Sequence, residues 1–116
     1  MFRRLALVGL LFSGCHSHWA VGQTLDLNRL KERGIDSLSM KAGCDLKVKF
    51  HGMNTVNWCW VKHIDSDSTF AWAECMATER VSMSVERIPA GDYEVGYAGC
   101  WSDYSFILHV SHFGPK

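Results

Sequence analysis

The sequence predicts an all-β protein: an antiparallel β-sandwich of about six to seven strands, preceded by a short helix and a signal peptide. Three observations carry this expectation. Apolar and polar residues alternate with a period of two from Ile35 onward, as in Leu46-Val48-Phe50 against Lys47 and Lys49. Turn-forming clusters interrupt that alternation repeatedly, among them Asp65-Ser66-Asp67-Ser68, Pro89-Ala90-Gly91-Asp92 and Ser102-Asp103. Four cysteines, Cys44, Cys59, Cys75 and Cys100, form an even set, which an exported chain uses as a disulfide framework.

The first element lies outside the fold. Arg3 and Arg4 precede the apolar run Leu5 to Phe12, the plan of a secretory signal. The run falls well short of the roughly 20 apolar residues that span a bilayer. Two ends are open to it. Ala20-Val21-Gly22 offers small residues to a signal peptidase, giving a signal over 1–22 and a mature chain from Gln23. Leu11-Phe12-Ser13-Gly14-Cys15, by contrast, resembles the lipobox of bacterial lipoproteins with Phe12 where Leu is usual, and that resemblance implies lipid on Cys15. The expected localisation is therefore periplasmic or extracellular, with a membrane approached only through an anchor at Cys15.

Residues 23–34 follow as a short helix or linker. Thr24 is the expected N-cap of a helix over 25–33, with Lys31 and Arg33 in its last turn and Gly34 just beyond. The sandwich itself is expected over 35–116, a single domain. Strands are predicted around Leu38 and Met40, over Leu46 to Phe50, over Val81 to Val85, over Tyr93 to Tyr97 and over Tyr104 to Val110. Around Phe106 to Val110 the last of these is either an exposed edge strand, open to pairing between chains, or an interior one.

The central hairpin organises the rest. Two aromatic runs, Asn57 to His63 and Phe70 to Met76, flank the Asp65–Ser68 cluster. With Ser66 to Ser68 as the loop, Cys59 faces Cys75, which predicts a disulfide; Cys44 with Cys100 follows by elimination. One face of the hairpin then carries Cys59, Val61, His63, Ala71, Ala73 and Cys75. The other carries Trp58, Trp60, Lys62, Phe70, Trp72 and Glu74.

Composition excludes several functions. Twelve basic residues balance twelve acidic ones, so the footprint of a nucleic-acid binder is missing. The cysteines lack the close pairs of a structural zinc site. His109 and His112, three apart on a strand, point to opposite faces, and His16 and His18 could take a metal only if a lipoprotein cleavage retains them. No G-x-S-x-G elbow occurs, and Asp65 and Asp67 sit in a turn, where backbone donors occupy them. Neither a catalytic residue nor a cofactor is expected.

Two resemblances bear on the class. Arg87-Ile88-Pro89-Ala90-Gly91-Asp92-Tyr93-Glu94-Val95 resembles the proline-glycine turn of prealbumin-like sandwiches, the transthyretin-like and carboxypeptidase-regulatory-like domains; it implies a non-catalytic sandwich. Cys44, Trp58 and Cys100 resemble the bridge, buried tryptophan and bridge of immunoglobulin-like domains, although Ala98 stands where their corner tyrosine is expected. The functional expectation is a small exported module that binds another macromolecule, a protein or a glycan. Trp58, Trp60, Trp72 and Trp101 are the aromatic candidates, and Trp60 and Trp72 the two expected to bind ligand as an exposed platform for sugar rings. A small hydrolase or metal protein is the remaining class.

Overall fold

The computed structural model describes residues 22–52 and 55–115. Nearly all of the expected signal, with Cys15, lies outside these residues. Among them no helix is long and apolar enough to cross a membrane.

The described residues form eight strands and one helix: β1 (Gln23–Asp26), α1 (Leu27–Glu32), β2 (Ser37–Lys41), β3 (Leu46–His51), β4 (Asn57–His63), β5 (Ser68–Cys75), β6 (Arg80–Val85), β7 (Gly91–Gly99) and β8 (Asp103–Ser111). They make two sheets, one of three strands in the order β1-β3-β6 and one of five in the order β2-β8-β7-β4-β5. The all-β sandwich expected from the alternation is thus present. Each strand buries one side: Leu46, Val48 and Phe50 of β3 point inward and Lys47, Lys49 and His51 outward. The inner faces meet in a core that includes Leu27, Phe50, Val61, Tyr93, Val95, Tyr97, Phe106 and Leu108. Phe50 and Tyr97 stack across it with ring centroids 4.4 Å apart.

The start of the domain differs from expectation. Gln23–Asp26 is an edge strand rather than the first turn of a helix, and Asp26, not Thr24, caps α1 by accepting a hydrogen bond from Arg29 N at 3.3 Å. The physical reason is the spacing of Leu25 and Leu27, which buries Leu25 from a strand and Leu27 from the helix that follows. The helix ends as predicted. Gly34 takes φ +65°, and the pair of bonds Gly34 N to Lys31 O and Ile35 N to Leu30 O closes the last turn.

The sandwich is also not purely antiparallel. β1 runs parallel to β3, and β2 parallel to β8, while the remaining pairs are antiparallel. β8 therefore lies inside its sheet, covered by β2 and β7, and is not the edge strand that its sequence allowed.

The central hairpin forms, in another register. Its turn occupies residues 64–67, with Asp67 at φ 57° and Asp67 N bonded to Ile64 O. An irregularity follows between Val61 and Lys62. Cys59 consequently faces Ala73, and Cys75 faces Asn57. The slip along the body of the hairpin is an even number of residues, so the inner and outer faces survive it. The predicted bridges do not. Cys59, Cys75 and Cys100 are free thiols. Cys44 is disulfide-bonded, but not to Cys100, which stands exposed in the bend after β7. The immunoglobulin-like arrangement around Trp58 is likewise not formed, because Trp58 is 39% exposed and faces outward.

Candidate functional site

The outer face of the five-stranded sheet carries the aromatic side chains that the hairpin sequence placed there. β4 lies between β7 and β5, and turns Asn57, Cys59 and Val61 inward, so Trp58 and Trp60 must stand on the solvent side. Registers across the sheet then build two rows. One runs Asp103, Ala98, Trp58, Glu74; the next runs Ser105, Gly96, Trp60, Trp72. Trp60 and Trp72 are direct cross-strand neighbours, a spacing of about 5 Å between Cβ atoms. Trp72 is 58% exposed, and Trp60 is half-buried beside it.

The other half of each row is small. Ala98 and Ser105 line a depression of about 230 Å³ against Trp60, with Glu94 and Asp103 also in its lining. Gly96 is required in its row on steric grounds: a Cβ would come within 2.3 Å of Tyr104 O and 2.6 Å of Ser105 Cβ. The indole Nε1 of Trp60 is buried without a hydrogen-bond partner. Lys62 closes one end of the face by an ion pair to Asp67 at 2.8 Å. The Asp67 hydrogen bond, then its charge, hold the Lys62 ammonium above its ordinary pKa, and Glu94 adds to the effect.

Trp60 and Trp72, the two tryptophans singled out from sequence, are thus brought together, with Trp58 one row away. Trp101 is 77% exposed but stands in the bend between β7 and β8, off the sheet. Phe70 leaves the platform. Next to the irregularity in the hairpin it packs instead on His63 and Tyr93, at 5.8 and 5.3 Å between ring centroids. The contributions of β7 and β8, namely Glu94, Gly96, Ala98, Asp103 and Ser105, were missed in the sequence; they depend on strand order, which alternation does not encode.

Elsewhere the described residues offer little chemistry. His109 pairs with Asp92 at 2.8 Å on the outer face, and His112 lies in the turn beyond β8. His63 Nδ1 accepts from Ser66 at 2.6 Å, but this pair braces the hairpin turn and no carboxylate completes it. No three His, Cys, Asp or Glu side chains among the described residues could hold one metal ion. A wider cleft of about 560 Å³ lies on the other sheet beside α1, where Asp26 and Glu32 mix with Lys49 and Arg80. It has no tryptophan or tyrosine, and its one phenyl ring, Phe50, belongs to the core.

No family model matches the chain, and no curated protein matches it. Among solved structures it is similar to auracyanin A, described as a "blue" copper protein from the green thermophilic photosynthetic bacterium Chloroflexus aurantiacus. The two share 16% sequence identity with a TM-score of 0.52, over 79% of this chain and 99% of that one. At that identity the likeness shows the fold, a two-sheet β-sandwich.

Proposed function

We propose that this chain is a small exported, non-catalytic binding module whose ligand is a glycan, held on the outer face of the five-stranded sheet. The observation that carries the proposal is the pairing of Trp72, 58% exposed, with Trp60 beside a depression lined by Glu94 and Asp103. A sugar ring presents apolar C–H faces and a rim of hydroxyls. The indoles supply flat surfaces for the first, and the carboxylates accept hydrogen bonds from the second. The buried centre of a protein interface is depleted of charged residues around its aromatic anchors. The rows around Trp60 hold Gly96, Ala98, Ser105 and carboxylates instead, which favours the sugar. Those same carboxylates select against acidic sugars, so neutral oligosaccharides are the expected class.

Export is supported by the basic residues and apolar run at the start of the sequence. A copper-carrying role, which the description of auracyanin A would suggest, does not fit the described residues. Such centres use two histidines and a cysteine with a weak axial methionine, and no group of that kind converges among them.

The experiment is a titration with cellohexaose and chitohexaose, followed by tryptophan emission, on the protein and its Trp72→Ala variant. Saturable quenching or shift in the parent and its loss in the variant are expected. An unchanged spectrum across both sugars removes the proposal.

A further inference from the structure

We propose that Cys59 and Cys75 are a redox modification site: a buried dithiol that oxidises to a disulfide as β5 moves two residues along β4. The proposal stands independently of the glycan reading. Both side chains are wholly buried free thiols on the inner face of neighbouring strands. They are offset by one diagonal step, since Cys59 faces Ala73 and Cys75 faces Asn57. Diagonal neighbours stand about 7–8 Å apart, too far for a disulfide without movement of the backbone.

The movement required is defined by the sequence. With Ser66 to Ser68 as the loop, Cys59 faces Cys75, Val61 faces Ala73 and His63 faces Ala71, so every inward residue along the body of the hairpin stays inward. The irregularity between Val61 and Lys62 marks where the present register is already adjusted. Among the described residues β5 is an edge strand paired in its sheet with β4 alone, so a slide breaks one ladder, together with the bonds of Cys75 and Met76 to Glu79. The structure thus holds one of two in-phase hairpin registers, and the other is the one that a disulfide would select.

The chemistry is two successive thiol–disulfide exchanges with a low-molecular-weight disulfide. Burial raises the Cys75 thiol as well, but Cys75 lies at the end of the edge strand beside exposed Met76, so opening of that strand end uncovers it before Cys59 and its thiolate attacks first. One thiolate of the small disulfide leaves, and a mixed disulfide forms on Cys75. Cys59 then gives up its proton and attacks that Cys75 sulfur, releasing the second small thiol. The two cysteines lose two protons and two electrons in all, and the small disulfide gains them as two thiols. Burial pushes the Cys59 thiol up to about 12, with Cys75 adding to the rise, so the second exchange is the slow one.

The new register also rearranges the outer face. Trp60 would face Glu74, and Lys62 would face Trp72, in place of the direct Trp60–Trp72 pair. The test incubates the full chain and its Cys100→Ser variant with oxidised glutathione at pH 8 under native conditions, then maps non-reduced peptides by mass spectrometry. The expected result is a Cys59–Cys75 cross-link in both proteins, together with a change in tryptophan emission that reverses on reduction. Cys59 and Cys75 remaining as thiols while Cys100 takes up glutathione would overturn the site. A cross-link that leaves nuclear Overhauser contacts between Trp60 and Trp72 intact would overturn the register shift.

Discussion

Replacing Gly96 by alanine places a methyl group where β7 has no room for one against β8. Built on the existing backbone, the new Cβ would lie 2.3 Å from Tyr104 O, 2.6 Å from Ser105 Cβ and 2.8 Å from Ser105 Cα. None of these is the flexible end of a side chain, so relief must come from moving one strand away from the other. Two effects compete. Alanine restricts the unfolded chain, which favours folding by about 0.4–1 kcal/mol. Overpacking costs about 1–3 kcal/mol, and each ladder hydrogen bond that lengthens adds about 1 kcal/mol. The steric side wins, with a net loss of about 2 kcal/mol, or roughly 10 °C in Tm for a domain of this size. Gly34→Ala is the comparison, because nothing lies within 4 Å of its Cβ and only the positive φ of +65° is strained. Its loss should be smaller, about 1 kcal/mol. Thermal unfolding followed by far-UV circular dichroism measures both. A Gly96→Ala protein that melts at or above the parent temperature would refute the close approach of β7 to β8.

Three further outcomes follow from the same packing. Phe50→Ala removes a buried ring stacked on Tyr97 and should cost about 3–5 kcal/mol in urea unfolding, enough to leave the domain marginal. Cys100, exposed, should react rapidly with a chromogenic disulfide, whereas Cys59 and Cys75 should react far more slowly in the folded protein and rapidly once denaturant is added; three equally fast thiols would contradict their burial. The raised thiol of Cys59 and the raised phenol of Tyr104, each at about 12, contribute stability that is complete below their unfolded values near 9 and 10 and is lost as pH rises through 12. Both shifts come mainly from burial. Tm should therefore fall steeply above pH 9, and Cys59→Ala should flatten part of that fall.

What the sequence made legible was the direction of side chains. Alternation separated Trp58, Trp60 and Trp72 from Cys59 and Val61, and the structure keeps that separation because a period of two survives an even slip. Register was not legible. Ile64, which is apolar, falls in the turn, and Asp67 takes the left-handed conformation that an aspartate tolerates. Together with the irregularity at Val61, these move Ala73 opposite Cys59. Partners distant in sequence were hidden for a related reason. Nothing local in Gln23–Asp26 marks its parallel pairing with Leu46–His51, though the spacing of Leu25 and Leu27 fits a strand as well as a helix. Half of the candidate site is a matter of strand order: Gly96, Ala98 and Ser105 come to lie beside the tryptophans only because β7 stands between β8 and β4.

The central claim is that the Trp60–Trp72 face binds sugar, and indole N–H resonances report on it side chain by side chain. In a titration with the better of the two hexasaccharides, the account predicts progressive, saturable shifts of the Trp60 and Trp72 signals, a smaller shift at Trp58, and none at Trp101, which stands off the sheet. The buried Trp60 Nε1, without a partner in the structure, should move most if a sugar oxygen reaches it. Shifts confined to Trp101, or no shift at any indole at millimolar sugar, would contradict the account.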